Sequence, residues 1–88
     1  MVVMTDHFKE RFKQRVANTK RVQQYADSAF CYGKTLDEVR SKTFSKMLGE
    51  KEQANGSSAK IFSNCIYWFD GNVAITVYPI PQKMHKMI

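Results

Sequence analysis

The chain is poor in the residues that build metal centres and disulfide frameworks. Its 88 residues include two cysteines, two histidines and four glycines. Cys31 and Cys65 have no Cys-x-x-Cys or metal-type spacing, and their apolar neighbours predict two reduced, mostly buried thiols. His7 and His85 lie near opposite ends of the sequence, so a zinc site is not expected. We therefore predict no metal and no other cofactor.

Other arrangements with a recognisable chemistry are missing too. The sequence has no glycine-rich phosphate loop, no pair of carboxylates with catalytic spacing and no candidate Ser-His-Asp triad. Asp6 and Glu10 are the only acidic residues near His7, and Asp6 is better explained as a helix cap. Because metal-dependent nucleases need clustered carboxylates, this scarcity argues against that class of enzyme.

No apolar run in the sequence is long enough to cross a membrane. The opening segment 1–6 becomes polar too soon for a secretory signal. A chain of 88 residues is long enough for one small domain, and it contains no internal repeat. We expect a single domain over 1–88, in a cytoplasmic protein that does not bind membranes.

Positive charge is in clear excess, with 14 basic against 8 acidic side chains and a net charge of +6. An excess of this size favours polyanionic partners, nucleic acid first. It is also common among small cytoplasmic proteins that never bind RNA. Lys83, His85 and Lys86 form a small cluster at the end of the chain. Most of the excess lies in the first quarter, at Lys9, Arg11, Lys13, Arg15, Lys20 and Arg21.

Hydrophobic spacing predicts a helical half over about 5–52. A first helix begins with Thr5 or Asp6, whose side-chain oxygens suit the unpaired N–H groups of a helix start. Phe8 and Phe12 form the apolar stripe of this helix. A break follows near 18–19.

A second helix is predicted after that break, and Gly33 is expected to end it in a left-handed conformation. The stretch 35–38 is a capping box that opens a third helix. A flexible loop at about 53–58 separates the helices from the rest of the chain. The apolar positions of the second helix recur with a helical period at Val22, Tyr25, Ala26, Ala29 and Phe30.

Runs of β-branched and aromatic residues predict a sheet half over about 59–79, followed by a tail at 80–88. Two tight turns separate its strands, and two prolines end the last strand. We therefore predict an α+β domain with two or three N-terminal helices packed on a three-stranded antiparallel β-meander. The strands are predicted at 60–62, 65–69 and 73–78, with turns at 63–64 and 70–72.

Strand alternation assigns the two faces of this sheet, provided that the turn at 70–72 has two residues. One face is purely apolar and is expected to pack on the helices. The other face mixes aromatic rings with hydroxyls and is expected to stay open for a ligand. The apolar face holds Ile66, Trp68, Val73, Ile75 and Val77, and the open face holds Cys65, Tyr67, Phe69, Ala74, Thr76 and Tyr78.

The most informative pattern in the chain is His7, Arg11 and Arg15 at intervals of four residues. On a helix this spacing stacks the three side chains along one ridge. Arginine offers a planar, permanently charged fork that matches phosphate oxygens, and histidine exchanges a proton near neutral pH. The ridge is therefore a candidate site for phosphate chemistry. The alternative is a solvated basic face with no further role.

Hydroxyl groups on the last two strands are the second candidate feature. Tyr67, Thr76 and Tyr78 would orient a phosphate or stack a base beside the ridge. The alternative is ordinary cross-strand pairing, because tyrosine and threonine favour sheets. Further basic residues would either extend a nucleic-acid-binding surface or only keep the protein soluble. These residues are Lys9, Lys13, Lys20 and Arg21.

The arrangement resembles a group of small uncharacterised proteins from bacteria and their phages. Those proteins open with a helix bearing His-x-x-x-Arg-x-x-x-Arg, as at 7–15 here, and their last strand is similar to the Thr-Val-Tyr-Pro of 76–79. The resemblance spans most of the chain and includes the Ile-Tyr-Trp-Phe of 66–69. More distantly, the chain resembles the barnase–EndoU–colicin–RelE superfamily of ribonuclease toxins, although it lacks a strongly basic terminal strand.

The toxin resemblance implies metal-independent RNA cleavage, in which a ribose 2′-OH attacks the adjacent phosphate. His7 would be the acid or base, and Arg11 and Arg15 would stabilise the charge that gathers on phosphorus. Thr76 and Tyr78 would position the substrate. The resemblance also implies a neutralising protein partner that covers the basic ridge.

The leading hypothesis is thus a toxin-like RNA-binding protein, and a metal-independent endoribonuclease if it is an enzyme. The alternatives are a non-catalytic nucleic-acid- or protein-binding module of phage or mobile-element origin, and an oligomeric assembly protein that uses the open sheet face. The sequence does not fix the oligomeric state. An enzyme requires the catalytic candidates in one concave site, whereas a binding module requires only an exposed basic strip. The catalytic candidates are His7, Arg11, Arg15 and Tyr78.

Overall fold

A computed structural model describes residues 1–35 and 58–82, together with Glu38, Lys46 and Gly49. Most of the predicted third helix, most of the predicted loop at 53–58 and the basic cluster at 83–86 lie outside the described residues. Ser58 itself belongs to a strand. The described elements are, in chain order, β1 (Val3–Met4), α1 (Asp6–Arg15), α2 (Val22–Tyr32), β2 (Ser58–Phe62), β3 (Cys65–Asp70) and β4 (Val73–Pro79).

The α+β class is confirmed, but the three-stranded antiparallel meander is wrong. The described strands form one sheet in the order β1-β4-β3-β2, and β1 pairs with β4 in parallel. The Val3 N–H donates to the Asn72 carbonyl at 2.9 Å, and the Thr5 N–H donates to the Ala74 carbonyl at 3.2 Å. A strand of two residues is too short to show an alternating pattern of polar and apolar residues. Its partner strand also lies at the far end of the chain, so nothing local in the sequence predicts this pairing.

Side chains of α2 hold the segment that precedes β1. The Val2 N–H donates to the Asp27 carboxylate at 2.7 Å, and the Gln23 amide donates to the Val2 carbonyl at 2.8 Å. The hydrogen bond from Val2 lowers the pKa of Asp27, burial opposes that change, and the Gln23 amide adds to it. Because the pKa of Asp27 is depressed in the folded state, its ionised carboxylate stabilises the fold at neutral pH. This stabilisation is lost as the pH falls through the pKa of Asp27 in the folded protein.

The first helix begins as predicted, with Thr5 as its cap. The Phe8 N–H donates to the Thr5 hydroxyl oxygen at 3.0 Å. The same hydroxyl lies 3.3 Å from the carbonyl oxygens of Ala74 and Ile75. Thr5 therefore satisfies an unpaired N–H of α1 and also ties the start of the helix to β4.

The end of α2 differs from the prediction. Gly33 has φ −64° and ψ 148°, which is an extended conformation and not a left-handed one. A glycine is required here for a steric reason instead. A Cβ at this position would collide with the Ala29 carbonyl oxygen and lie 3.0 Å from the Cβ of Lys60. The close approach lets Lys34 exchange two backbone hydrogen bonds with Ile61, of 2.8 and 2.9 Å.

Local signals in the turns are confirmed. Ser63 and Asn64 form the two-residue turn between β2 and β3 with φ values of 51° and 61°, as a type I′ hairpin requires. Gly71, with φ 61°, begins the two-residue turn between β3 and β4. After α2, the Glu38 carboxylate accepts hydrogen bonds from the Thr35 N–H at 3.3 Å and from its hydroxyl at 3.2 Å. The bond from the Thr35 N–H is the half of the predicted capping box that the glutamate side chain supplies.

The predicted assignment of sheet faces is wrong. Trp68 pairs with Thr76 but Phe69 pairs with Ala74, so Ile75 is an extra residue in a β-bulge. The bulge moves Val77 to the same face as Tyr67, and this face packs on the helices. Trp68 is buried as expected, at 5% exposure, but on the opposite face. The core beneath the helices contains Val2, Phe8, Phe12, Ala26, Ala29, Cys65, Tyr67, Phe69, Ala74 and Val77.

Candidate nucleic-acid interface

The basic ridge lies on one flank of α1. Phe8 and Phe12 are fully buried and press one side of the helix onto the sheet, with their ring centroids 6.0 Å apart. The residues of the ridge follow the edge of that buried stripe. Arg11 and Arg15 are half-buried, and His7, nearer the start of the helix, is exposed. The buried stripe therefore fixes the direction in which the ridge faces.

Arg15 makes the most specific contacts of the ridge. Its guanidinium carbon lies 4.3 Å from the centroid of the Tyr78 ring, and one guanidinium nitrogen donates to the Val77 carbonyl at 3.3 Å. The Val77 carbonyl is accessible because β1 pairs only with the first two residues of β4. These two contacts hold a permanent positive charge at the edge of the sheet, against a ring that stays 44% exposed.

Arg11 lies one turn earlier and has a neutral partner. Its guanidinium donates to the Gln14 side-chain oxygen at 3.1 Å, and the Gln14 amide donates to the Glu10 carboxylate at 3.2 Å. The carboxylate therefore reaches Arg11 only through an amide. This relay orients the guanidinium and leaves its charge available to an anion.

The four predicted catalytic residues form a line. A helix rises 1.5 Å per residue, so His7 lies about 12 Å along the axis from Arg15, with Arg11 midway. Tyr78 contacts Arg15, and His7 is therefore at the opposite end of the line from the tyrosine. Two clefts in the described part of the chain are lined by other residues. The arrangement can hold successive anionic groups along its length.

The predicted accessory residues are divided between two places. Lys9 and Lys13 are exposed, but at about 100° per residue they lie roughly 160° around α1 from Arg11. Lys20 and Arg21 are exposed in the turn that leads into α2, where the Arg21 N–H donates to the Thr19 hydroxyl oxygen at 3.2 Å. The ridge and the pair formed by Lys9 and Lys13 thus face different directions.

Tyr67 lies in the core and not on a binding surface. Its side chain is fully buried, and its ring lies between 6.2 and 6.5 Å from the rings of Phe8, Phe62 and Phe69. Within the described residues its hydroxyl has no hydrogen-bond partner. Burial raises the pKa of this hydroxyl far above its usual value, and the nearby Cys65 and Tyr25 raise it further.

The other two predicted hydroxyls lie on the sheet face away from the helices. Thr76 pairs with Trp68, and its hydroxyl oxygen is buried without a partner among the described residues. Tyr78 pairs with Ile66 and is exposed. Of the three hydroxyls that the sequence singled out, the one on Tyr78 therefore belongs to an exposed side chain.

The cysteines agree with the prediction in part. Cys65 is buried, and burial raises the pKa of its thiol, whereas Cys31 is exposed. Among the residues that the structure describes, no group of histidine, cysteine, aspartate and glutamate side chains could hold a metal ion. None of the described helices is long and apolar enough to cross a membrane.

Sequence analysis missed the residues of one cleft beside α2. Arg21 had been assigned to a general basic surface, whereas Gln24, Tyr25 and Ser28 had no assigned polar role. Their spacing of three, four and seven residues from Arg21 places all four on one helix face, and this spacing was the available signal.

In comparisons of the chain with protein families, with curated proteins and with solved structures, we found no match.

Proposed function

We propose that the chain binds single-stranded RNA along the flank of α1 that carries His7, Arg11 and Arg15. The observation that supports this most directly is the position of Arg15, held between the Val77 carbonyl and the ring of Tyr78. A fixed guanidinium beside an exposed aromatic ring offers a phosphate contact and a stacking surface next to each other. The net charge of +6 favours the approach of a polyanion.

The linear arrangement favours a strand over a compact ligand. Guanidiniums one helical turn apart match successive phosphates, and stacking on Tyr78 needs a base that is free of a duplex. A neutralising protein of the kind expected for a toxin would have to cover the same flank with acidic groups. The assembly hypothesis has less support, because Tyr67 and Phe69 are buried beneath the helices and are not available to a second chain.

Removal of one ridge charge tests the proposal. We expect Arg11→Gln and Arg15→Gln each to weaken binding of a single-stranded RNA by about 1.5 kcal/mol, or roughly tenfold, because each removes a charge-assisted hydrogen bond. The slope of log affinity against log salt concentration should decrease by about 0.7 for each variant. Fluorescence anisotropy with a labelled oligonucleotide, measured over a range of salt concentrations, gives both quantities.

Lys13→Gln is the matched control, since it removes the same charge from the other flank of α1. It should change the affinity by less than about twofold if contacts, and not net charge, determine binding. Equal losses in Lys13→Gln and Arg15→Gln would show that the protein binds RNA only through its overall charge, and the proposed interface would then be wrong.

A second candidate function is cleavage of the bound strand. His7 is exposed and lies one turn from Arg11, so both side chains can reach one phosphate. In such a step the ribose 2′-oxygen forms a bond to phosphorus, and the bond from phosphorus to the 5′-oxygen breaks. A base removes the 2′-OH proton, and an acid protonates the leaving 5′-oxygen. His7 is suited to either proton transfer, and Arg11 to stabilising the charge on phosphorus.

His7→Ala should then lower the rate of RNA cleavage by on the order of 100-fold or more, while RNA binding stays within a few fold of wild type. Gel analysis of end-labelled RNA in the presence of EDTA measures the rate without metal ions. Arg11→Ala is expected to lower both cleavage and binding. Binding without cleavage by the wild-type protein would leave the chain as an RNA-binding module.

A further inference from the structure

A polar, aromatic cleft of about 240 Å³ opens between the start of α2 and the end of β2. Ligand sites for drug-sized molecules usually have about 300–1,000 Å³, so this cleft suits a smaller group. The α2 residues in its wall share one helix face because of their spacing. The cleft is lined by Arg21, Gln24, Tyr25, Ser28 and Phe62.

The chemistry of the wall matches a nucleobase. Tyr25 and Phe62 supply aromatic surface for stacking, and Gln24 and Ser28 supply both donors and acceptors for the polar edge of a base. Arg21 adds a cation at the rim for an attached phosphate. None of the described residues that line the cleft is acidic. A planar group with a polar edge and a negative substituent therefore fits better than a cation or an aliphatic chain.

The aromatic walls of the cleft are fixed by the core. The Tyr25 ring lies 5.5 Å from that of Phe12, and the Phe62 ring lies 6.4 Å from that of Tyr67. Both walls are therefore positioned before any ligand arrives, which lowers the entropic cost of binding. Phe12 precedes Arg15 by less than one turn of α1, and Arg21 follows Arg15 by six residues, so the cleft lies beside the end of α1 that carries Arg15.

We propose that this cleft binds one unstacked base of the RNA strand whose phosphates contact the ridge. This assignment rests on the proposed function, since it names where a base of that same strand is held. The ridge would then supply affinity that does not depend on sequence, and the cleft would supply preference among bases.

Nucleotide titrations test the cleft without requiring the ridge. Adenosine and uridine 5′-monophosphates, added to ¹⁵N-labelled protein, should shift the amide resonances of Gln24, Ser28 and Phe62. Ribose 5-phosphate carries the same charge without a base and should leave these resonances nearly unchanged. The double variant Gln24→Ala with Ser28→Ala should bind the nucleotide that prefers the cleft about fivefold or more weakly, because hydrogen bonds to the base are lost.

Gln82→Ala changes an exposed glutamine outside the cleft and should bind nucleotides as the wild type does. The proposal is overturned if neither nucleotide shifts the cleft resonances, or if ribose 5-phosphate shifts them equally, since the cleft would then be at most an anion site. Failure of the ridge would instead appear as unchanged RNA binding in Arg15→Gln, so the two ideas fail in different measurements.

Discussion

Replacement of Phe8 by alanine is expected to lower the free energy of unfolding by about 4 kcal/mol. Phe8 is fully buried and contacts the rings of Phe12 and Tyr67, at 6.0 and 6.2 Å between centroids. The substitution leaves a cavity between α1 and the sheet that the surrounding rings cannot fill. Urea denaturation followed by circular dichroism measures the loss. It would be a large part of the total free energy of unfolding, which is about 5–15 kcal/mol for native proteins.

Phe30→Ala is the control for this prediction. Phe30 is also an aromatic residue in a helix and packs against Phe69, but it remains 37% exposed. It should cost about 1–2 kcal/mol, because much of its surface already faces water. Equal losses in the two variants would mean that the face of the sheet beneath α1 does not form the main core.

Replacement of Gly33 by asparagine is expected to cost about 3 kcal/mol. Asparagine tolerates the left-handed conformation, so it would be nearly neutral if Gly33 were the left-handed helix end that the sequence predicts. The backbone is extended here, and any Cβ would collide with the Ala29 carbonyl and crowd Lys60. The collision should also disturb the bridge that Lys34 makes with β2.

Gly71→Asn provides the opposite case. Gly71 does have a left-handed φ of 61°, and a Cβ added to it meets nothing within 4 Å. Asparagine should be accepted there at a cost below about 1 kcal/mol. Thermal unfolding of the two variants separates the explanations, since a larger loss at Gly71 than at Gly33 would contradict the steric account of the helix end.

The β-bulge at Ile75 is the feature that connects the fold with the proposed function. It brings Val77 into the core and leaves Tyr78 exposed at an edge of β4 that no described strand covers beyond Ala74, where Arg15 reaches it. The Val77 carbonyl points away from β3 toward Arg15. The backbone N–H and C=O groups of alternate strand residues point to the same edge, so those of Pro79 share the edge of Val77. Proline has no N–H donor to offer there, which disfavours the addition of another strand.

Predictions from spacing within one element were mostly confirmed. The cap at Thr5, the buried stripe of Phe8 and Phe12 and the turn at 63–64 all depend on contacts between residues close in sequence. The position of Arg15 on the flank of α1 follows from the same periodicity. What it contacts there could not be predicted, because its partners lie more than 60 residues later in the chain.

The faces of the sheet show the limit most clearly. Strand alternation across a two-residue turn places Tyr78 on the face of Tyr67, but one extra residue in β4 puts Val77 on that face and moves Tyr78 to the other. A bulge has no reliable local pattern, because it forms where packing against α1 and pairing with β3 are satisfied together. Tyr67 and Tyr78 therefore look alike in sequence, although one is a core ring and the other is exposed.

The amino-acid sequence by itself determined the α+β class, the ends of the hairpin strands and a helix with a charged flank beside an aromatic stripe. Each of these depends on periodicity and turn chemistry over a few consecutive residues. Only the tertiary structure decided that β1 pairs in parallel with β4, which sheet face is covered, and that Arg15 meets Tyr78. Those features depend on packing between segments that are far apart in the chain. The free energy of that packing is set by both segments together, so the sequence of one segment does not predict it.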